Sequence, residues 1–467
     1  MRCFKEKEFG GWCKGEELLT APDKNQYCIF HAPMEAKKGK EKIFQQRFYK
    51  RLNSAIGTQP DLDFSGMISP IPISFIEFTT LPNFQFDDCE FYREVHFYGG
   101  EYNNVVHLTR SKFFDTLSID KSIFHKGLKI SGILHNGLKI HTAIFNSKTH
   151  IEVKCVDCDI FFGNCPSISD LEFINLASNG ELSIIKSNIS SLQMNNINSK
   201  ISIIFENSIL NTIHFNHIKF KSLKFYQCKF GEEIVFNKCK MDGIHLHGIP
   251  LDLLRMTYCD WPMANERYII SDEVIDLKDI ETNKLRGRPI PPTSRNISDM
   301  YRFLKKIYKD NNDELMVSSW HYKEKEWEKI ALTEKSNRTP SDYFLLIMLS
   351  VYKHISGYGE EPGRALVWLI GLFAALCSLL HISGLSIAHG VTPWADIQTL
   401  RVAPGNFTWA QLGVLFSATL EHVIFLKSPD YLPITPFGKI AINIIGKILI
   451  PIQAALFAFA LRNKLRR

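Results

Sequence analysis

The chain has 467 residues, 45% of them hydrophobic and 22% charged, with a formal net charge of +6. That length exceeds one ordinary core, so two or more domains are expected. The basic excess gathers in residues 37–51 and at 462–467, while the middle balances acids against bases, which excludes a nucleic-acid partner and mimicry of DNA. Eleven cysteines behind an opening Met-Arg-Cys-Phe-Lys-Glu-Lys-Glu, with no secretory signal, predict free thiols in a reducing, cytoplasmic compartment.

Residues 1–36 read as a small separate unit. Cys3, Cys13, Cys28 and His31 are spaced C-x9-C-x14-C-x2-H. A segment too short for its own core gains from a tetrahedral zinc held by three thiolates and one imidazole. The other reading is four unconnected residues. Residues 37–83 follow as a helix, with Phe44, Phe48 and Leu52 at helical spacing, and a cap.

From residue 84 to 260 the apolar residues recur at neither a helical nor a simple strand period. Triads such as Leu117-Ser-Ile119, Leu128-Lys-Ile130, Leu138-Lys-Ile140, Leu182-Ser-Ile184, Leu192-Gln-Met194, Ile201-Ser-Ile203, Ile213-His-Phe215 and Leu223-Lys-Phe225 mostly lie ten or eleven residues apart. Between them come echoes opened by a small residue, such as Ser122-Ile-Phe124, Ala143-Ile-Phe145 and Cys228-Lys-Phe230. A large apolar residue thus returns about every five positions, with an inward partner two before it. That beat suits a coil of four short straight sides, roughly twenty residues per turn, whose turns stack about 4.8 Å apart. The pattern resembles the pentapeptide-repeat family, which implies a right-handed quadrilateral β-helix, here of about eight turns. The segment Tyr27-Cys28-Ile-Phe-His31-Ala-Pro33 is similar to an opening found in many members of that family. A β-sandwich is the competing fold. Within the repeat, Cys155, Cys158 and Cys165 read as small inward residues rather than metal ligands. Ten of the histidines fall there and are expected to face water, with no carboxylate at fixed spacing to form a catalytic pair. No nucleophile elbow, Walker loop or dinucleotide fingerprint occurs, so no enzymatic activity is expected.

Residues 261–295, with Pro262, Pro289, Pro291 and Pro292, read as a linker, and 296–340 as a helical connector capped at Asn296-Ile-Ser298. Residues 341–467 form a membrane domain. An interfacial helix is expected at 341–356, a span at 365–382, a re-entrant helix at 407–426 and a second span at 438–461. Basic residues beside both outer ends place both termini in the cytoplasm of a multi-pass protein in a bacterial inner membrane.

Span, re-entrant helix, loop, span resembles the pore of two-transmembrane potassium channels. Phe416-Ser-Ala-Thr419 matches the family's pore helix, Asp430-x-x-Pro433 the end of its filter segment, Thr435-Pro-x-Gly438 the start of the inner helix, and Gly446 its hinge. The resemblance implies a homo-oligomer, a tetramer in that family, with Glu421, His422, Lys427, Ser428, Asp430, Gly446 and Lys447 lining the pore. The filter itself departs from the family. Phe425-Leu-Lys-Ser-Pro-Asp430 contains no glycine, and a filter of carbonyls needs glycine at left-handed positions to aim them at one axis. Two functions therefore remain open. One is a channel-like protein whose cytoplasmic β-helix senses or docks an unknown ligand or protein; the other is a non-conducting, membrane-anchored scaffold whose β-helix binds a protein partner.

Overall fold

The computed structural model describes residues 2–55, 61–76, 83–155, 158–197, 201–274, 292–387, 409–424 and 431–465. It divides into two units, Met1–Pro292 and Thr293–Arg467.

The first unit is a parallel β-solenoid of about nine turns. One ladder runs through Ile73, Val95, Leu117, Leu138, Ile160, Leu182, Ile203 and Leu223, and Ile244 bridges onto Leu223 as the ninth rung. Each rung advances by 20 to 22 residues, as between Ile203 and Leu223 or between Ile73 and Val95. A second ladder passes through Leu128, Thr149, Leu171, Leu192, Ile213, Ile234 and Leu254. The ten-residue beat of the sequence is therefore half a turn, stepping from one ladder to the other. Two further ladders complete each turn: Tyr102, Phe124, Phe145, Ile168, Ile189, Leu210 and Phe230 form one, and Phe91, Phe113, Leu134 and Cys155 the other.

Identical positions stack because each side is a short run of extended chain whose inward side chain meets its copy one turn away. Phe205 lies on Phe225 with ring centroids 4.9 Å apart and planes 7° from parallel, and Tyr102, Phe124 and Phe145 continue one such column at 4.7 and 5.1 Å. The small inward residues have a further task. The Ser187 hydroxyl donates to Ile185 O and accepts from Cys165 N, and the Ser208 hydroxyl does the same with Glu206 O and Ser187 N. At these two corners serine satisfies a buried backbone donor, which alanine would not.

The corners are left-handed. Lys121, Thr142, Asn164, Lys186, Asn207 and Gln227 have φ between 50° and 54°. Such a conformation costs a non-glycine residue roughly 1–2 kcal/mol. The stack offsets that cost: the backbone N–H groups of Lys121, Thr142, Asn164 and Lys186 each donate to a carbonyl of the next turn at 2.9–3.1 Å.

Several expectations are corrected. The ladders begin at Asp61–Asp63 and Ile73–Ile76, before the expected start at residue 84, because Leu62-Asp-Phe64 and Ile73-Ser-Phe75 already carry the inward pair. The triad Ile201-Ser-Ile203 is out of register by two: Ile203 and Phe205 stand on Leu182 and Ile184. Residues 261–274 are not linker but cover the last turn. Trp261 and Ile270 are buried, and the buried Asp272 carboxylate accepts from the N–H groups of Leu246 and His247 at 2.8 and 3.0 Å. Burial pushes Asp272 up to about 6.

At the other end lie two helices, α1 (Met34–Lys37) and α2 (Glu41–Ala55). Phe44, Phe48 and Leu52 of α2 are fully buried, and Phe48 packs on Phe64 of the first turn at 4.9 Å. Lys37 is buried too, its ammonium donating to Phe30 O at 2.8 Å and to Ile68 O.

The second unit begins with α3 (Ser294–Asp310) and α4 (Glu314–Glu334). The cap of α3 is Thr293, with Asn296 completing a reciprocal box, so the helix starts two residues earlier than expected. Trp320 is buried against Tyr301 at 5.5 Å, and the buried Glu324 binds Arg302 at 2.9 Å and Lys305. Burial opposes ionisation of Glu324, yet those two cations hold its carboxyl below the usual range. Next come α5 (Pro340–Ser356) and α6 (Pro362–Ser383), joined through Gly357, Tyr358 and Gly359, all at positive φ. Tyr358 is buried between Tyr322 and Tyr352. The chain continues with α7 (Trp409–Val423) and α8 (Pro436–Leu465), the latter π-helical over Ile442–Leu449. By length and composition α6 and α8, of 22 and 30 residues, can each cross a membrane: an 18-residue stretch of each has mean hydropathy 2.3 and 2.1, with only 17% and 22% of it buried.

The stacking account predicts that Phe225→Ala lowers stability by about 3–5 kcal/mol, whereas Lys139→Ala, exposed on the outer face of the same ladder, changes it by less than about 0.5 kcal/mol. Chemical denaturation of the two variants checks this; equal losses would mean the inward register is misassigned.

Candidate functional site

The N-terminal unit assembles its four candidate ligands from three pieces of chain. Leu18–Thr20 pairs antiparallel with Gln26–Cys28, and the turn after that strand returns the N–H groups of His31 and Ala32 to Cys28 O. That turn places Cys28 and His31 on one side. Cys3 arrives through the bond from Phe4 N to Gln26 O at 2.8 Å, and Cys13 from the turns of residues 4–15. All four are buried, and their ligand atoms lie within 4.8 Å of one another. His31 Nδ1 is 3.1 Å from Cys28 Sγ and 3.6 Å from Cys3 Sγ. A tetrahedral ion with metal–sulfur distances of about 2.3 Å needs donors a little under 4 Å apart, so this cluster could hold a metal ion.

The surroundings are those of a ligand set. Backbone N–H groups of Cys28 and His31 donate to the sulfurs of Cys3 and Cys28 at 3.2 and 3.4 Å. His31 Nε2 lies 3.0 Å from Ser65 O and donates to it, which leaves Nδ1 as the ligand atom. Phe9 stacks on the imidazole at 5.3 Å and Trp12 meets it edge-on at 5.0 Å. Hydrogen bonds from Cys13 and Cys28 hold the Cys3 thiol far below its ordinary value, while the bonds with Cys13 and Cys3, and then burial, push Cys28 far up. Three thiols so close together oppose one another's ionisation, and a bound cation is what would allow all three to ionise.

Sequence reasoning found the ligands but missed their supports. Ser65 lies on the first solenoid turn, 34 residues from His31, and also accepts from Trp12 Nε1 at 3.0 Å. Gly66 beside it leaves room for Phe9, whose ring would be 2.3 Å from an added Cβ. The signal available was the aromatic pair Phe9 and Trp12 interleaved with the cysteines.

Cys155, Cys158 and Cys165 are buried and fall outside the metal cluster. Cys158 and Cys165 point at the carbonyls of Leu134 and Gly163. The solenoid histidines are exposed or half-buried, as expected, but the expectation that they lack carboxylate partners is corrected. His125, His141, His150 and His214 meet Glu101, Asp120, Glu172 and Glu233 at 2.7, 3.3, 2.8 and 3.1 Å. Each partner lies 19 to 24 residues away, about one turn, a spacing visible only once the turn length is known.

Of the residues expected along a pore, Lys427, Ser428 and Asp430 lie outside the described residues. Glu421 is half-buried near the end of α7, and the buried His422 beside it has Nε2 2.9 Å from Tyr431 O. Gly446 is buried, and a Cβ there would lie 3.2 Å from Leu376; Lys447 is exposed. No protein-family model, curated protein or solved structure matches the chain.

The purified chain is expected to carry close to one metal ion, and Cys28→Ser to lose it together with the order of residues 2–33. Elemental analysis and amide exchange check this; metal-free protein prepared without chelator would end the assignment.

Proposed function

We propose that the chain is a pentapeptide-repeat membrane protein of channel-like build. Its right-handed quadrilateral solenoid is a cytoplasmic sensing or docking domain, with zinc at Cys3, Cys13, Cys28 and His31. Helices α6 and α8 cross a bacterial inner membrane with both chain ends in the cytoplasm, α5 lies along the interface, and α7 enters the bilayer and turns back. In this reading the chain carries out no catalysis of its own.

The observation that carries the proposal is the placement of α7. Its 15 residues span about 22 Å, short of a hydrocarbon layer of about 30 Å. Its Leu415 and Ala418 nevertheless share one buried cluster with Leu376 and Leu380 of α6 and Ala441, Ile442 and Ile450 of α8. A short apolar helix held between two long ones is the arrangement a re-entrant pore helix requires. The two long helices run antiparallel. Gln453 Nε2 donates to Ala365 O at 2.7 Å at one end, and Ser383 Oγ meets Thr435 Oγ1 at 2.7 Å at the other. Strands Leu385–Ile387 and Tyr431–Pro433 pair beyond that second end. Antiparallel spans agree with basic residues at both outer ends on one side of the membrane.

Lys447 supports assembly. It is exposed in the middle of the predominantly apolar α8, away from the basic residues at its ends, and a charge at membrane depth normally faces a cavity or an opposite charge. In a ring of subunits, four by analogy with the channel family, α8 lines the axis and Glu421, His422 and Lys447 border the path, with Gly446 inside the π-helical segment. A mouth of side chains without filter glycines selects by charge and size.

Mass measurement in mild detergent should give a tetramer, and bilayer recordings of Lys447→Glu should show a reversal potential displaced from that of the unaltered chain. Monomers alone would remove the ring. Tetramers that never conduct would leave the membrane-anchored scaffold, with a protein partner on its solenoid, as the function.

A further inference from the structure

A cleft of about 480 Å3 opens on the flank of the solenoid, within the range of small-molecule sites. Its floor is the outward column beside the second ladder, where Lys129, His150 and Glu172 stand on successive rungs. Lys126 and Lys148, close in chain to the corners at Gly127 and before Thr149, also line it, as does Ser131.

The charges in the cleft are sorted along the stack. Glu172 is buried and takes both Lys148 at 2.9 Å and His150 at 2.8 Å. Glu152 lies 4.0 Å from the other ring nitrogen of His150, Nε2, and accepts from Asn175 Nδ2. The two carboxylates are therefore committed to the later rungs. On the earlier rungs Lys126 reaches only the amide oxygen of Asn104 at 3.1 Å. Neither Lys126 nor Lys129 meets a carboxylate among the described residues. Nearby cations on the same solenoid are neutralised, Arg110 by Asp88 at 2.7 Å and Lys112 by Glu90 at 2.8 Å. The Ser131 hydroxyl accepts from Arg110 N at 2.8 Å, which leaves its proton to donate.

We propose that this cleft binds the phosphate group of a small molecule through Lys126, Lys129 and Ser131. Two ammonium groups and a hydroxyl present compact, rotatable donors that suit a tetrahedral oxyanion, whereas a planar carboxylate is usually gripped by the fork of an arginine. Arg110, whose backbone N–H reaches Ser131, already spends its fork on Asp88, through Nε at 2.9 Å and Nη2 at 2.7 Å. The buried Glu172 acts on the other side of the site: it fixes Lys148 and His150 and closes the later rungs to a second anion. The inference goes beyond the channel-like reading and does not depend on it, because every residue involved belongs to the solenoid.

Isothermal titration of the full chain in detergent with inorganic pyrophosphate tests it, with citrate as the carboxylate comparison. Pyrophosphate should bind saturably, more weakly as salt rises, and at least tenfold more weakly to Lys126→Glu or Lys129→Glu. Both lysines are exposed, so the variants should fold as the parent does. Lys139→Glu, exposed on the first ladder, should bind as the parent does. No saturable binding, citrate bound as tightly as pyrophosphate, or an equal loss in Lys139→Glu would each overturn the proposal.

Discussion

Everything in the first unit depends on one constraint: each inward side chain must land on its counterpart about one turn away. The constraint is local in space but spans 20 to 22 residues of chain, so no single side is stable alone and each turn completes the hydrogen bonding of the next. It accounts for the aromatic columns, for serine and cysteine at the tight corners, and for lysine, asparagine and threonine held at positive φ. It also explains why both ends are covered. An uncovered last turn would expose a ring of apolar side chains and open backbone groups. At one end Trp261 and Asp272 close it, and at the other α2 and the cysteine-rich unit do so.

The repeat was legible because its side chains alternate in and out at fixed intervals, and its phase survived at most turns. It failed where the inward residue is atypical. Thr149 holds a ladder position between Leu128 and Leu171, so that half-turn gave no aliphatic signal. At residues 201–205 four apolar residues in five allow two phases, and stacking on Leu182 selects the later one. The covering segment 261–274 was read as linker because it has no period; its burial comes from docking on the last turn, which leaves no trace in spacing.

The four ligands of the metal cluster were legible as residue types, since three cysteines and a histidine in thirty residues are rarely idle. Their second shell was not, because Ser65 acts through its carbonyl, a group every residue carries. In the second unit the lengths of the apolar helices were legible from composition. Their mutual packing was not: the near-contact of Gly438 with Ser383, where an added Cβ would be 2.2 Å from Oγ, joins residues more than fifty apart. Histidine–carboxylate pairs across adjacent turns were hidden for the same reason, since a pair separated by one turn has no meaning until the turn is known.

The stacking constraint is tested most directly by removing chain in units of the turn. Ile160 stands under Leu182 in the first ladder, so excising residues 160–181 brings Leu182 onto Leu138 and leaves every other rung in phase. The shortened protein should retain its β-sheet circular dichroism and melt in one cooperative transition, whereas excising residues 160–170 alone, half a turn, should abolish that transition. Equal damage from the two deletions, or tolerance of the half-turn deletion, would contradict a solenoid built on whole-turn register.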